Sequence, residues 1–168
     1  MKRIGLLSDT HGFIEPKLFD FFAECDEIWH AGDFGNFETL EQLAAFKTLR
    51  GVYGNIDDHK IRSVFKKHLK FKIEGVKVWI THIGGYPGHY DKSVKPLIFT
   101  DPPTLFISGH SHILKVIFDK KIGALHINPG AAGNHGFHKV KTLLRFTIDG
   151  ERIKDLEIME IPRKGFDL

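Results

Sequence analysis

The chain has 168 residues, 42% of them hydrophobic and 27% charged, a make-up that suits one globular domain and excludes a disordered or fibrous chain. Its 24 lysines and arginines exceed its 21 aspartates and glutamates by only three, with no basic run, which argues against a nucleic-acid groove and is compatible with small anionic substrates. The single cysteine, Cys25, cannot form an internal disulfide, the apolar stretch Ile4 to Leu7 is shorter than a signal-peptide core of roughly 7–15 residues, and no segment reaches the roughly 20 apolar residues of a membrane span, so a cytoplasmic domain over residues 1–168 is expected.

Arg3 to Ser8 is an apolar run that breaks into Asp9-Thr10-His11-Gly12, as a buried strand entering a loop does. Glu15 to Glu24 sets Leu18, Phe19, Phe21 and Phe22 at helical spacing, with Pro16 tolerated in the first turn. A second strand, Glu27 to His30, enters Ala31-Gly32-Asp33, and Phe37 to Phe46 carries Leu40, Leu43, Ala44 and Phe46 on one helical side. Thr48 to Tyr53 is a third strand, ending in Gly54-Asn55-Ile56-Asp57. Strand and helix alternating in this way predict a parallel sheet covered by helices.

The second half is richer in strands. His68 to Glu74 and Val76 to Thr81 flank Gly75 as a hairpin or interrupted pair, and Thr104–Ile107, Leu114–Phe118, Ala124–Ile127 and Leu143–Ile148 follow. Asp149-Gly150 suits a two-residue turn leading into Arg152–Ile158. Between Ile83 and Pro103 glycine and proline recur, and one helix is expected, near Asp91 to Phe99; such long irregular segments are usually functional. The reading is a single α/β domain with two sheets.

Polar residues gather where the strands stop. Four apolar strands end in the clusters Asp9-Thr10-His11-Gly12, Gly32-Asp33, Gly54-Asn55-Ile56-Asp57 and Gly109-His110-Ser111-His112, and Thr81-His82 makes a fifth end. Ligands of α/β sheets bind at the carboxyl ends of strands, so these ends are expected to converge. They offer the imidazoles of His11, His82, His110 and His112, the carboxylates of Asp9 and Asp33 and the amide of Asn55, too many donors for one tetrahedral zinc. Nitrogen and oxygen donors without sulfur suit manganese, iron, nickel, cobalt or zinc, and this number fits two ions sharing a carboxylate, roughly 3.5–4 Å apart. On an extended segment the spacing-two pairs Asp9/His11 and His110/His112 point the same way. Alone, Asp-x-His is a weak signal and Gly-Asp or Gly-Asn could be a turn, whereas two histidines in Gly-His-Ser-His have few structural uses, and turn formation does not explain all five in this order.

At these residues the chain resembles the calcineurin-like metallophosphoesterase superfamily. That family's signature of Asp-x-His, Gly-Asp, Gly-Asn, a lone histidine and Gly-His-x-His is matched by Asp9/His11, Gly32/Asp33, Gly54/Asn55, His82 and Gly109/His110/His112. The match runs from about Arg3 to Gly130, and Ser8-Asp9-Thr10-His11-Gly12, His30-Ala31-Gly32-Asp33 and Asn128-Pro129-Gly130 look most like its small bacterial and archaeal phosphodiesterases. The resemblance implies a two-sheet αββα sandwich. It implies hydrolysis of phosphodiesters by a hydroxide bridging two divalent metals, manganese foremost, with nickel, zinc, iron and cobalt as alternatives. Asp9, His11, Asp33 and His112 would hold one metal, and Asp33, Asn55, His82 and His110 the other, with Asp33 the bridge and Asn55 also contacting phosphate.

One departure bears on mechanism. Where many members read Gly-Asn-His-Asp or Gly-Asn-His-Glu, this chain has Ile56, which cannot protonate a leaving group, while Asp57 keeps the acidic position as a catalytic candidate. The implied preference is for activated diesters. Hydrolysis of phosphomonoesters at the same site and a non-catalytic scaffold, like the retromer subunit of this fold, are the competing readings. Expected partners are a small phosphate ester and, compatible with everything above, a second copy of the chain; neither a membrane nor nucleic acid is expected. His30 reads as a support for the site, His89, His135 and His138 as surface histidines of glycine-rich loops with substrate contact the lesser alternative, His59, His68 and His126 as structural or solvated, and Asn128-Pro129-Gly130 as a supporting turn.

Overall fold

The first strand, β1 (Lys2–Leu7), alternates between two environments, Ile4 and Leu6 facing one apolar layer and Leu7 another. That is the period of two a pleated strand imposes, and it fixes which face of the sheet meets which layer. The structure, a computed structural model, describes residues 1–164; residues 165–168 of the expected domain lie outside the described residues. Along the chain follow α1 (Lys17–Phe21), β2 (Glu27–His30), α2 (Phe37–Phe46), β3 (Thr48–Gly51), α3 (His59–Val64), β4 (His68–Ile73) and β5 (Val76–Thr81). Then come β6 (Gly85–Tyr86), β7 (His89–Tyr90), α4 (Lys95–Ile98), β8 (Leu105–Ile107), β9 (Leu114–Asp119), β10 (Ala124–Pro129), β11 (Val140–Asp149) and β12 (Arg152–Pro162).

One sheet runs β12-β11-β1-β2-β3 and the other β4-β5-β8-β10-β9, with β6 and β7 forming a small ribbon. β1, β2 and β3 are mutually parallel, as their helical connections require, and so are β5, β8 and β10. The outer strands are added antiparallel. Between the sheets lie Ile4, Leu6, Trp29, Leu144 and Phe146 from one, and Val78, Ile80, Leu105, Ile107 and Ile127 from the other. Leu18, Phe22, Leu40, Leu43 and Ile61 seat the first three helices on one outer face. Val94 and Ile98 pack with Trp79 and Phe106 on the opposite face. The expected αββα order is the order found.

The differences are local. The first helix is shorter than its apolar spacing suggested, because Phe22 leaves helical geometry and closes it. α3 has no counterpart in the sequence reading: Ile61 is its one fully buried apolar side chain, too sparse a pattern to detect, and it is started by Asp58 accepting the Ile61 N–H. The last hairpin turns at Gly150-Glu151 rather than Asp149-Gly150, since Asp149 pairs with Arg152 and Gly150 takes the left-handed φ of 61°. β4 and β5 form a hairpin around Glu74-Gly75, and the Gly75 N–H donates to the Gly150 carbonyl at 2.9 Å, joining the turns of the two sheets. Among the described residues no helix is long and apolar enough to cross a membrane.

Gly5 faces the helices, and a Cβ there would stand 2.8 Å from the Phe22 ring. Gly5→Ala is therefore expected to destabilise the protein by about 1–3 kcal/mol, read as a lower urea midpoint at constant m-value.

A candidate metal centre

The loops that follow β1, β2, β3, β5 and β8 meet at one end of the sandwich, so the five polar strand ends come together. Donor atoms of Asp9, His11 and His112 lie within 4.8 Å of one another, and those of Asp33, His82 and His110 form a second such set. The sets are contiguous: Asp33 Oδ2 is 3.2 Å from His82 Nε2 and 3.5 Å from His11 Nε2. Asp9 Oδ1 is 3.2 Å from His112 Nε2 and 3.7 Å from His82 Nε2. Asn55 stands at the rim, its Oδ1 3.0 Å from His110 Nδ1.

Several of these atoms have nothing to bond. Asp9 Oδ1, His11 Nε2 and His82 Nε2 are buried without a hydrogen-bond partner among the described residues. His82 Nδ1 lies 2.7 Å from the Ala31 carbonyl oxygen, so it carries a proton and donates, leaving Nε2 to face the carboxylates. Burial alone would raise the Asp9 carboxyl, but His11, His112 and His82 facing it and the Ser8 hydroxyl outweigh burial and hold it well below the usual carboxylate range. Burial alone would lower His82, and the Asp33 and Asp9 carboxylates overcome it and raise it. A field that favours a proton there favours a divalent cation. Orphaned, converging nitrogen and carboxylate donors without sulfur fit two divalent metal ions.

The backbone is held away from its comfortable regions to achieve this. Asp9, His11, Asp33, His110 and His112 have φ between 46° and 71°, the left-handed region that side chains larger than glycine seldom adopt. The spacing-two pairs thus converge through tight left-handed turns, which corrects the extended geometry expected of them. Glycine is required where the site folds onto the chain: a Cβ on Gly32 would lie 2.6 Å from the His82 ring, and one on Gly54 would collide with the Asp33 carboxylate.

Supporting side chains fix these loops. The buried Asp57 carboxylate accepts the N–H groups of Asp33 (3.0 Å), Phe34 (3.2 Å), Gly35 (3.0 Å) and Gly54 (2.8 Å). The catalytic part expected of Asp57 therefore gives way to a positioning one, because both oxygens are spent on backbone. His30 accepts the Gly32 N–H at Nδ1 and meets the Thr10 hydroxyl with Nε2, so it braces two loops without facing the centre. Asn128 donates to the Gly109 carbonyl and the Ser111 hydroxyl, each at 3.0 Å. Ser8, whose hydroxyl donates to Asp9 Oδ2 at 2.7 Å, is a supporting residue that sequence reasoning missed, and its place beside Asp9 was the available signal.

A cleft of about 590 Å³ opens over the centre, with Ile56, Ile113 and Phe137 exposed on its walls. Two of the loop histidines belong to it: His135 stacks on His11 with ring centroids 4.8 Å apart, and His138 stands 5.2 Å from the His112 ring.

Comparison with known proteins bears on this geometry. The family model for the calcineurin-like phosphoesterase superfamily domain matches residues 1–151. A protein of Methanothermobacter thermautotrophicus named "Probable metallophosphoesterase" is 29% identical over 163 residues, 93% of this chain and 91% of that protein. The solved structure of an archaeal phosphodiesterase has a TM-score of 0.74 at 18% identity, covering 95% of this chain and 99% of that one. Wild-type Vps29 of Entamoeba histolytica, crystallised with zinc, has a TM-score of 0.73 at 16% identity, covering 95% and 98%. At these identities the two structures speak for the fold.

Two outcomes follow from the supporting residues. Asp57→Asn presents an N–H₂ to backbone donors and is expected to cost about 3 kcal/mol of stability and to weaken metal binding, while any residual turnover keeps its pH profile; a shifted profile would restore a catalytic role. Burial pushes His30 down to about 3 from 6.5, so it takes up a proton only on unfolding and stability falls as pH drops from 6.5 towards 3. Urea titrations of the metal-free protein should register a loss of about 2 kcal/mol from this residue between pH 7 and pH 5, flattened in His30→Gln.

Proposed function

The chain belongs to the calcineurin-like phosphoesterase superfamily, and on that footing we propose that it is a phosphodiesterase working with two divalent metal ions, manganese foremost, on small phosphate diesters. The observation that carries this reading is the pair of contiguous donor sets with orphaned buried atoms. Asp9, His11 and His112 would hold one ion and His82 and His110 the other. Asp33, whose Oδ2 faces His11 and His82, would be shared between them, and Asn55 would complete the second set. Bound there, two divalent cations supply Lewis acidity toward a phosphate ester and toward water.

The chain's own residues do the remaining work. Asp57 and His30 hold the loops that aim Asp33, and the N–H₂ of Asn55 is available to a phosphate oxygen while its Oδ1 faces His110. Ile56 stands half-exposed where a proton donor would serve the leaving group, so the departing alcohol must be a stable anion by itself. This favours activated diesters over alkyl monoesters. The exposed side chains of Ile56, Ile113 and Phe137 offer apolar contact to an organic substituent. Cys25, buried and free, accords with a reducing cytoplasm. The likeness to Vps29, one of whose structures holds zinc, is one of fold at 16% identity and does not by itself carry a scaffold role to this chain.

The test is to strip the protein of metal, restore manganese, nickel or zinc, and assay bis(p-nitrophenyl) phosphate beside p-nitrophenyl phosphate. Manganese or nickel should restore diester cleavage, and Asp33→Asn should lose more than the roughly 10–100-fold typical of changes outside the ligand set. Dominant monoester cleavage would make the protein a phosphatase, and metal binding without turnover would leave the scaffold reading.

A further inference from the structure

Beside the metal centre lies a second pocket, of about 190 Å³, which shares His110 and Ser111 with the cleft. Its wall also includes Tyr86, His89, Asp91, Lys115, His126 and Asn128. His126, on β10, was expected to be structural or solvated; it is buried, 1% exposed, and one of its ring nitrogens has no partner among the described residues. Its Nδ1 lies 3.2 Å from the Phe106 carbonyl oxygen, so Nδ1 carries the proton and donates. Nε2 is then a lone pair, buried and without a hydrogen-bond partner among the described residues. Burial pushes this ring down to about 4, so at neutral pH it is uncharged and Nε2 can only accept.

The rest of the wall narrows what would satisfy it. Tyr86 and His89 stand with ring centroids 4.9 Å apart, making an aromatic side. The Lys115 ammonium lies 4.3 Å from the Tyr86 ring centroid, and Asp91, whose Oδ2 accepts the Ser93 N–H and hydroxyl, contributes its other carboxylate oxygen. A neutral acceptor, a carboxylate, an ammonium and a flat ring suit a group with several hydroxyls. Its O–H groups donate to imidazole and carboxylate and accept from the ammonium, and its C–H face packs on the ring. A plain alkyl arm would leave Nε2 unpaired, which buried acceptors rarely are. Asn128, two residues from His126, holds the Gly109 carbonyl and the Ser111 hydroxyl, so this pocket and the His110 loop share one frame.

We propose that this pocket receives one alcohol arm of the phosphodiester, that the arm is a polyol of glycerol or sugar type, and that His126 selects it by accepting a hydroxyl hydrogen bond at Nε2. The proposal rests on the phosphodiesterase reading. The metal-loaded chain is assayed on glyceryl p-nitrophenyl phosphate and on propyl p-nitrophenyl phosphate, which differ in the two hydroxyls. The wild type is expected to prefer the glyceryl ester about tenfold in kcat/KM, the worth of one hydrogen bond. In His126→Phe that ratio falls toward one, and His126→Gln, which keeps an acceptor, regains part of it. Lys115→Ala, at a partly exposed position, should lower the same ratio and serves if the buried substitution does not fold. Equal rates on the two esters in the wild type, or a ratio preserved in His126→Phe, would overturn the proposal. Should the wild type cleave neither ester nor bis(p-nitrophenyl) phosphate, the phosphodiesterase reading has failed. Glycerol 3-phosphate is then titrated into the protein while the His126 ring resonances are followed by NMR. A saturable shift sustains the pocket, and unmoved resonances overturn it.

Discussion

Four backbone N–H groups converge on the two oxygens of Asp57, and three of them belong to consecutive residues, Asp33, Phe34 and Gly35. Consecutive N–H groups point to one spot only when the backbone curls tightly, and a buried carboxylate is what rewards that curl with charge-assisted bonds. The fourth donor, Gly54, comes from the loop after β3, so the same two oxygens join neighbouring strand ends. Asp33 is thereby fixed at both ends. Its main chain bonds Asp57, and its own Oδ1 accepts the Ile56 N–H at 3.1 Å, leaving Oδ2 to face His11 and His82.

Holding five polar residues in the left-handed region costs on the order of 1 kcal/mol each. The surroundings offset this locally. Pairing between β1 and β2 continues past the strand ends, with Asp9 N–H donating to Gly32, His11 to Asp33 and Gly12 to Phe34. On the other sheet the Gly109 N–H donates to the His82 carbonyl, and His110 N–H reaches the Asp9 carboxylate at 3.1 Å. Among the described residues, the non-glycine positions at positive φ are these five donors together with Glu74 and Asp155, so most of this strain falls at the donor residues. That distribution is the mark of a site shaped for a ligand rather than of a poorly folded loop.

Much of this was legible in the sequence, for a physical reason. Buried parallel strands are short apolar runs, so where Leu7, His30 and Ile107 give way to polar residues the strand end is visible, and the fold rule carries those ends together. The sandwich and the residues gathered at its end follow from that logic. What was hidden lies in bonds between residues distant in sequence. Asp57 reads as an acid beside Asn55, and only its distance to Asp33, 24 positions away, gives it a different part. His126 reads as one more strand residue, and its missing partner shows only once Phe106 is beside it. α3 is short and half-solvated, so its periodicity carries almost no signal.

Each donor set draws on both sheets. Asp9 and His11 follow β1 of one sheet and His112 follows β8 of the other, while Asp33 follows β2 and His82 and His110 follow β5 and β8. The sheets otherwise meet through interdigitated apolar side chains, contacts that resist separation without naming one relative position as strictly as coordination does. A cation held by these sets would be gripped from both sides, as a rivet through the sandwich, and its ligation energy would be added to the folded state. The joined turns at Gly75 and Gly150 make a second fastening between the sheets. With ions bound, sliding one layer over the other would have to break coordination, so the alignment of the layers and the retention of the ions would become a single mechanical property.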